Sequence, residues 1–252
     1  MKRIPAVVFG IYAALIFIIT LLISSTAYAF VFLFASKKSA PHIAHKGISR
    51  PWAMTLQVLF FSPMKVKNRH LIDRDTTYVF IANHQSQLDI PFYAVACANT
   101  FRFLAKAELT KLPLMGFIIR NLYIAVDRKD RADRHRSLEI MKASLDENVS
   151  VFLCPEGTRN KHEEPPLLEF KDGAFRLAVL TGTPIAPLTV LNTGRRLSPL
   201  HPAAFYPGVI YGIWEEPIPT AGLTINDIPA LKEQVRAKMI ERLQEFRQRN
   251  VH

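Results

Sequence analysis

The chain has 252 residues, of which 49% are hydrophobic and 21% are charged. This length suits one sizeable domain with an appendage or two small domains, and the composition excludes an extensively disordered chain. The formal net charge of +11 is compatible with nucleic acid, an anionic membrane surface or an anionic substrate as a partner. Cys97 and Cys154 form neither a CxxC motif nor a metal-ligand pair, so both are expected to be reduced packing residues.

A long apolar run occupies the N-terminus. No charged residue occurs between Arg3 and Lys37, and the apolar run from Ile4 to Phe34 is longer than the roughly 20 helical residues that span a bilayer core. Ala27-Tyr28-Ala29 resembles a signal-peptide cleavage site, but a signal peptide has an apolar stretch of only about 7–15 residues. The run therefore predicts a retained membrane-embedded helix, tilted or bent to fit the bilayer.

A second apolar segment, 51–61, is too short to cross a bilayer. It predicts either an interfacial helix or the return arm of a helical hairpin, with Trp52 at the level of the lipid headgroups. A hairpin that enters one leaflet and returns would place both basic clusters on the cytoplasmic side; these clusters are Lys2 and Arg3, then Lys37, Lys38, Lys46 and Arg50. Residues 1–63 are therefore predicted to hold the chain at the cytoplasmic face of the cell (inner) membrane.

The remaining residues, 64–252, show short apolar runs that alternate with longer mixed segments. Strands are predicted at 78–82, 101–104, 122–126, 150–153, 185–191 and 209–213, and helices at 90–98, 130–148, 174–180 and 226–249. Strands that alternate with helices predict an α/β domain with a mixed, largely parallel sheet flanked by helices.

A histidine and an aspartate, His84 and Asp89, lie between a predicted strand and a predicted helix. Their spacing lets the carboxylate reach back to one imidazole nitrogen, which fixes the tautomer and leaves the other nitrogen as a base. A substrate hydroxyl could then serve as the nucleophile, and general-base catalysis of this kind raises the reaction rate roughly 10²–10⁴-fold. The alternative is that the two residues only stabilise the start of the helix.

The segment Pro155-Glu156-Gly157-Thr158-Arg159 follows another predicted strand. It would form a rigid loop that presents Arg159 at the edge of the sheet, where guanidinium can bind phosphate bidentately. Lys106 and Arg128 also follow strand-like segments, and the strand ends of an open α/β sheet tend to line one crevice. The segment therefore indicates a phosphate site, although a plain surface turn would have the same composition.

Together these segments resemble the 1-acylglycerol-3-phosphate acyltransferases, within the wider glycerolipid acyltransferase group, over about residues 83–188. The matching residues are His84 and Asp89 for the His-x4-Asp motif, Arg128 for the second motif, Glu156-Gly157-Thr158-Arg159 for the third and Thr183-Pro184-Ile185-Ala186-Pro187 for the fourth. The first and third motifs in this order are specific. Two positions differ from the family: the aromatic residue of the second motif is displaced to Tyr123, and Cys154 replaces a phenylalanine.

The resemblance implies an O-acyltransferase that moves a fatty acyl group from acyl-CoA or acyl-carrier protein to the free hydroxyl of lysophosphatidic acid, giving phosphatidic acid. It implies His84 and Asp89 as the catalytic residues. The implied substrate-binding residues are Lys106, Arg128 and Arg159, which would hold the acceptor phosphate, and Glu156, Gly157 and Thr158, which would shape the glycerol site. Membrane lipids are expected partners, and no cofactor, metal or nucleic acid is expected.

Two alternatives stay open at this point. A related enzyme could acylate another lysophospholipid or a lyso-aminolipid, and a non-catalytic lipid-binding membrane protein could have the same fold. A non-catalytic lipid-binding protein would show no thioester turnover. A panel of lysolipid acceptors would distinguish an enzyme for another lysolipid from one for lysophosphatidic acid.

Overall fold

The N-terminal region is a set of helices in the computed structural model, which describes residues 3–127, 129–162 and 164–249. Helix α1 (Arg3–Phe34) is continuous, with no interruption at Pro5, at Gly10 or in the Ser24-Ser25-Thr26 cluster. Two shorter helices follow it, α2 (Ala40–Ala44) and α3 (Arg50–Leu59), and a π-helical turn (His45–Ser49) joins them. The predicted N-terminal helix is therefore present over the whole apolar run.

Helix α3 runs back along α1, so the two form the helical hairpin that was one of the two alternatives for the second apolar segment. The Tyr28 hydroxyl lies 2.7 Å from the Ser49 hydroxyl, and the Tyr12 hydroxyl donates to the carbonyl of Leu59 at 3.1 Å. Between these contacts the ring of Trp52 stacks on Phe17, with ring centroids 5.6 Å apart.

The two faces of α1 differ in what they contact. Its inner face packs on the rest of the chain through small and polar residues that include Ala6, Ala13 and Ser24. Its outer face exposes large apolar side chains: Ile4, Val8, Ile11, Leu15, Ile18, Ile19, Leu22, Ile23, Phe30, Leu33 and Phe34. Within the described part of the chain, α1 is the one helix that is long and apolar enough to cross a membrane, with a mean hydropathy of 2.8.

The second part of the chain is built on a seven-stranded sheet in the order β1-β7-β6-β2-β5-β3-β4. Its strands are β1 (Met64–Lys67), β2 (Val79–Ala82), β3 (Phe101–Lys106), β4 (Ile124–Val126), β5 (Ser150–Leu153), β6 (Ile185–Leu191) and β7 (Ile210–Trp214). All neighbours are parallel except β6 and β7. The prediction of a mixed, largely parallel sheet is confirmed.

Helices cover both faces of the sheet, as the apolar character of the central strands requires. They are α4 (Asp89–Ala96), α5 (Met115–Leu122), α6 (Arg131–Asp146), α7 (Gly173–Thr181), α8 (Thr193–Arg196) and α9 (Ile228–Arg249). One core layer contains Phe80, Phe152 and Trp214, and α4 and the N-terminal hairpin pack on it. The other layer contains Val79, Ile81 and Val151, and it lies under α6, α7 and α9.

One local prediction was wrong, and two elements were missed. The strand predicted at 122–126 begins only at Ile124, because Leu122 is the last residue of α5. Helix α5 and the edge strand β1 were not predicted at all. Strand β1 has only two apolar residues, which alternate with lysines, and the apolar run Phe117-Ile118-Ile119 of α5 does not by itself distinguish a helix from a strand.

Candidate active site

The predicted site residues gather at one edge of the sheet. Strands β2 to β6 all run in the same direction, so their carboxyl ends share an edge, here named the carboxyl edge. His84 follows β2, Lys106 ends β3, and Glu156 follows β5. Arg128, which follows β4, lies outside the described residues. A fourth segment, which follows β6, also reaches this edge.

The His84 imidazole is held by a buried carboxylate. Its Nδ1 atom lies 2.8 Å from Oδ2 of Asp89. The same oxygen accepts the backbone N–H groups of Gln85 at 2.6 Å and of Ser86 at 2.8 Å. Asp89 is fully buried, and the His84 side chain is 16% exposed. Because a carboxylate only accepts, Nδ1 carries the proton and Nε2 remains as the basic nitrogen.

The helix-start alternative describes only part of the geometry, because it does not account for the contact with the imidazole. Asp89 is the first residue of α4, but its carboxylate turns back towards the preceding loop and accepts from that loop. The residue at the N-cap position is Leu88, whose own side chain makes no capping hydrogen bond, whereas Ser86 Oγ accepts the N–H of Leu88. The carboxylate thus orders the loop that carries His84.

Glu156 holds the backbone of His84 in place. The carboxylate is 3% exposed, and its two oxygens accept different N–H groups, from His84 at 2.8 Å and from Leu168 at 2.8 Å. Burial raises the pKa of Glu156 to about 7, and the two N–H donors act in the opposite direction. The carbonyl of His84 accepts from the backbone N–H of Asn160 at 2.7 Å. Both backbone groups of His84 are therefore bound by the loop that follows β5.

Asn83, the residue before the histidine, is held in place by its own side chain, a role that no sequence motif had indicated. Its side-chain amide donates to the carbonyl of Val190 at 2.8 Å and accepts the N–H of the same residue at 2.7 Å. It thus continues the pairing of β2 with β6 beyond the end of β2. The Tyr93 hydroxyl donates to the backbone carbonyl of Asn83. An asparagine that directly follows a fully apolar strand was the signal available in the sequence.

The segment after β6 supports the histidine loop from the other side. The Ser86 hydroxyl donates to the carbonyl of Leu197 at 2.7 Å and accepts the N–H of Leu88 at 3.2 Å. Gly194 lies against Gln85, since a Cβ atom on this glycine would be 3.4 Å from Cβ of Gln85. Residues 192–197 therefore belong to the site, and no motif in the sequence indicated them.

The loop after β5 presents the other predicted binding residues. Gly157 has a φ of +71° and faces the side chain of Lys171, which a Cβ atom would approach to 3.0 Å, so glycine suits this position. Thr158 is exposed. The guanidinium of Arg159 is partly buried, and its Nε atom has no hydrogen-bond partner among the described residues. Arg159 is adjacent in the chain to Asn160, which binds the His84 carbonyl.

Lys106 lies at the same edge but, unlike Asp89 and Glu156, it is exposed. Its side chain is 61% exposed, and its ammonium group pairs with Glu108 at 2.8 Å. An exposed pair of this kind contributes little to stability, so the ammonium group remains available to an anion. The described residues include no group of three or more His, Cys, Asp or Glu side chains that could hold a metal ion.

Residues 63–191, which include the His84 loop and the loop after β5, match a family model described as Acyltransferase. The chain therefore belongs to the acyltransferase family, and the resemblance predicted from the sequence is confirmed. The crystal structure of a 1-acyl-sn-glycerophosphate acyltransferase from Thermotoga maritima shares the fold, with a TM-score of 0.83, 25% sequence identity and 98% of each chain covered.

Curated relatives of this chain include enzymes from fungi, animals and plants. An uncharacterized acyltransferase of Schizosaccharomyces pombe is 31% identical over 184 residues, which cover 72% of this chain and 66% of that protein. Human 1-acyl-sn-glycerol-3-phosphate acyltransferase alpha is 30% identical over 201 residues, with 79% and 70% covered. A chloroplastic 1-acyl-sn-glycerol-3-phosphate acyltransferase of Brassica napus is 29% identical over 199 residues, with 77% and 55% covered. The chain thus spans about half to two thirds of the length of several curated relatives.

Proposed function

We propose that the chain transfers a fatty acyl group from acyl-CoA or acyl-carrier protein to the free hydroxyl of lysophosphatidic acid, giving phosphatidic acid. The observation that carries the proposal is the 2.8 Å contact between His84 Nδ1 and the buried Asp89 carboxylate at the carboxyl edge of the sheet. The names of the human and Brassica napus relatives, both 1-acyl-sn-glycerol-3-phosphate acyltransferases, support this choice of acceptor.

The reaction follows from the protonation state of the imidazole. Nε2 of His84 removes the proton of the acceptor hydroxyl as its oxygen attacks the thioester carbonyl, and Asp89 stabilises the charged imidazolium. The tetrahedral intermediate then collapses: the carbon–sulfur bond breaks, and the imidazolium returns the proton to the departing thiolate. The products are the new ester and a free thiol. Neither step requires a covalent acyl-enzyme.

A phosphate group on the acceptor fits the basic residues beside the imidazole. The free hydroxyl of lysophosphatidic acid and its phosphate are on neighbouring carbons, so a phosphate ligand must lie close to His84. Arg159 meets this condition, since its chain neighbour Asn160 binds the His84 carbonyl, and the buried Nε of Arg159 lacks a partner among the described residues. Lys106 and Arg128 complete the proposed phosphate site.

Glu156 holds the loop that carries His84, and the next two residues, Gly157 and Thr158, form the surface that contacts the acceptor. Both Glu156 oxygens are occupied by backbone N–H groups, which supports a positioning role more than direct contact with glycerol. Gly157 allows the tight turn beside the catalytic histidine, and the exposed Thr158 offers a hydroxyl to the glycerol moiety.

Attachment to one leaflet of the membrane is supported by how α1 packs. The α/β domain contacts this helix near its start, where Phe205 N donates to the carbonyl of Ala6 at 3.0 Å. The α/β domain also contacts α1 near the end of the helix, where the ring centroids of Phe32 and Phe117 are 5.9 Å apart. These contacts lie about 39 Å apart along α1 at ~1.5 Å per residue, which exceeds the ~30 Å hydrocarbon core. If α1 crossed the bilayer, the α/β domain, which contacts both ends of the helix, would have to lie within the hydrocarbon core.

We therefore propose that residues 1–63 form a monotopic membrane anchor and residues 64–252 the catalytic domain, on the cytoplasmic face of the inner membrane. The exposed apolar side chains of α1 would enter the lipid. The partners on this proposal are membrane lipids, lysophosphatidic acid and the acyl donor, without a metal or nucleic acid.

The test is thioester turnover by the purified full chain in lipid nanodiscs. Acyl-CoA and acyl-carrier donors are combined with a panel of lysolipid acceptors, thiol release is measured, and the lipid products are identified by mass spectrometry. We expect release with lysophosphatidic acid, loss of release in His84→Ala, and unchanged release in His135→Ala, whose histidine is exposed on α6. Full activity in His84→Ala would overturn the mechanism, and preference for another acceptor would overturn the substrate.

A further inference from the structure

A second basic site lies at the opposite edge of the sheet from His84. A cavity of about 190 Å³ is lined by Arg50, Arg69 and Arg74 together with Asn99; it is named here the basic cavity. Its volume corresponds to about six water molecules at ~30 Å³ each, which is room for a phosphate group. Arg50 begins α3, Arg69 lies in the turn after β1, and Arg74 precedes β2. Three separate segments thus contribute a cation to one space.

The basic cavity is separate from the proposed catalytic crevice. It lies at the amino ends of β2 and β3, whereas His84 follows the carboxyl end of β2. Helix α4 connects the two places: it begins at Asp89 and ends at Ala96, which lines the cavity. At ~1.5 Å per residue the two ends of α4 lie roughly 10 Å apart. A ligand in the cavity would not reach the imidazole.

The arginines of the cavity form no ion pair in the described part of the chain, although Asp73 and Asp75 flank Arg74. None of the ion pairs there involves Arg50, Arg69 or Arg74. The Nε atom of Arg50 is buried and lacks a hydrogen-bond partner among the described residues. Burial and the neighbouring charge of Arg50 lower the pKa of Arg69. Like charges that face one space repel one another, and a bound anion would reduce this repulsion.

An ordinary structural role accounts for only one of these three residues. Arg69 Nη1 donates to the carbonyls of Val95 at 3.0 Å and Ala96 at 3.2 Å, so it stabilises the C-terminus of α4. No described hydrogen bond or ion pair accounts for the guanidinium groups of Arg50 and Arg74. Both planar groups are free to bind an anion bidentately.

Asn99 holds one wall of the cavity in place. Its side-chain amide donates to the carbonyls of Asp73, Arg74 and Thr76 at 2.8–3.2 Å, which fixes the backbone that carries Arg74. Asn99 is 4% exposed, and its Oδ1 atom is buried without a donor among the described residues.

We propose that the basic cavity binds a phosphate group, with Arg50 and Arg74 as the principal ligands. Guanidinium and phosphate match in geometry as well as in charge. The phosphate can come from a free ion or from a phospholipid headgroup. Since Arg50 begins the return arm of the N-terminal hairpin, either ligand would join the anchor to the α/β domain.

The test measures binding of radiolabelled inorganic phosphate by equilibrium dialysis. The full chain is used in an uncharged detergent and carries Arg159→Gln, which lowers the contribution of the catalytic crevice. Adding Arg50→Gln and Arg74→Gln is expected to weaken binding at least about tenfold, because charge-assisted hydrogen bonds are lost. Adding Lys65→Gln and Lys67→Gln instead removes the same charge from exposed positions and is expected to change binding less than about twofold. Arg74→Gln alone, at an exposed residue, repeats the test in a variant that keeps Arg50.

A second arm identifies the source of the phosphate. Binding to phosphatidylcholine vesicles with and without phosphatidylglycerol is measured for the same variants by co-sedimentation. If the arginine variants lose only the binding of free phosphate, the ligand of the cavity is a soluble ion. If they also lose binding to the vesicles that contain phosphatidylglycerol, the ligand is a lipid headgroup. The proposal is overturned if, in both arms, the arginine variants bind as well as the matched lysine variants.

Discussion

The role of Glu156 can be tested with the isosteric substitution Glu156→Gln. The wild-type carboxylate accepts two buried N–H groups, from His84 and Leu168, each at 2.8 Å. A glutamine retains one acceptor oxygen and turns an NH₂ group towards the other N–H. One charge-assisted bond is lost and one buried donor is left without a partner, which together cost about 2–5 kcal/mol of unfolding free energy. The backbone of His84 is then less firmly held, and a displacement of ~1 Å costs about 10²-fold in rate.

The kinetic pattern separates a positioning role from direct contact with the acceptor. We expect kcat of Glu156→Gln to fall about 10²-fold for every acceptor while KM for lysophosphatidic acid changes little, because the reacting imidazole is displaced. Initial rates of thiol release and urea unfolding are the two measurements. Glu233→Gln, at an exposed position on α9, is the matched control. An unchanged kcat with a raised KM would mean that Glu156 contacts the glycerol moiety, as the family resemblance implies, and would refute the positioning role.

The pH dependence of stability gives an independent check on the same residue. Burial raises the pKa of Glu156 from 4.5 to about 7 in the folded chain. Between these values the folded state binds more protons than the unfolded state, so the contribution of Glu156 to stability falls as pH rises through this window. Glutamine does not titrate. The stability difference between wild type and Glu156→Gln should therefore widen by about 2 kcal/mol as pH falls from about 7 to about 5.

Three further substitutions test other parts of the molecule. Asp89→Asn should lower kcat on the order of 10⁴-fold, because the amide favours the wrong imidazole tautomer; retained turnover in the thiol-release assay would contradict the proposed dyad. Asn83→Ala removes both bonds to Val190 and should lower the unfolding free energy by about 2–4 kcal/mol, measured by urea denaturation. His45 is buried, and burial lowers its pKa to about 4, so stability should be lost as pH falls from about 6.5 to about 4. In His45→Gln the unfolding free energy should fall by about 3 kcal/mol less over this pH range. An equal fall in both proteins would exclude His45 as the cause of the acid sensitivity.

Local patterns in the sequence were sufficient for the class of fold and for the histidine–aspartate pair. Alternating strand and helix patterns predicted a largely parallel sheet, and the length of the apolar run predicted α1. The contact between His84 and Asp89 was predictable because the two residues are five positions apart and a single turn joins them. The edge strand β1 and helix α5 were missed because β1 has only two apolar residues and the apolar run of α5 fits a helix or a strand.

The supports of the site depend on which strands are neighbours, and no local pattern contains that information. Glu156 is 72 residues from His84, and Asn83 is 107 residues from Val190. Both pairs meet because β2 lies between β5 and β6 in the sheet. The basic cavity has the same origin, since Arg50, Arg69 and Arg74 converge only after α3 folds back along α1 and packs over α4. Such long-range contacts are set by the packing of whole elements, which forms only in the complete tertiary structure.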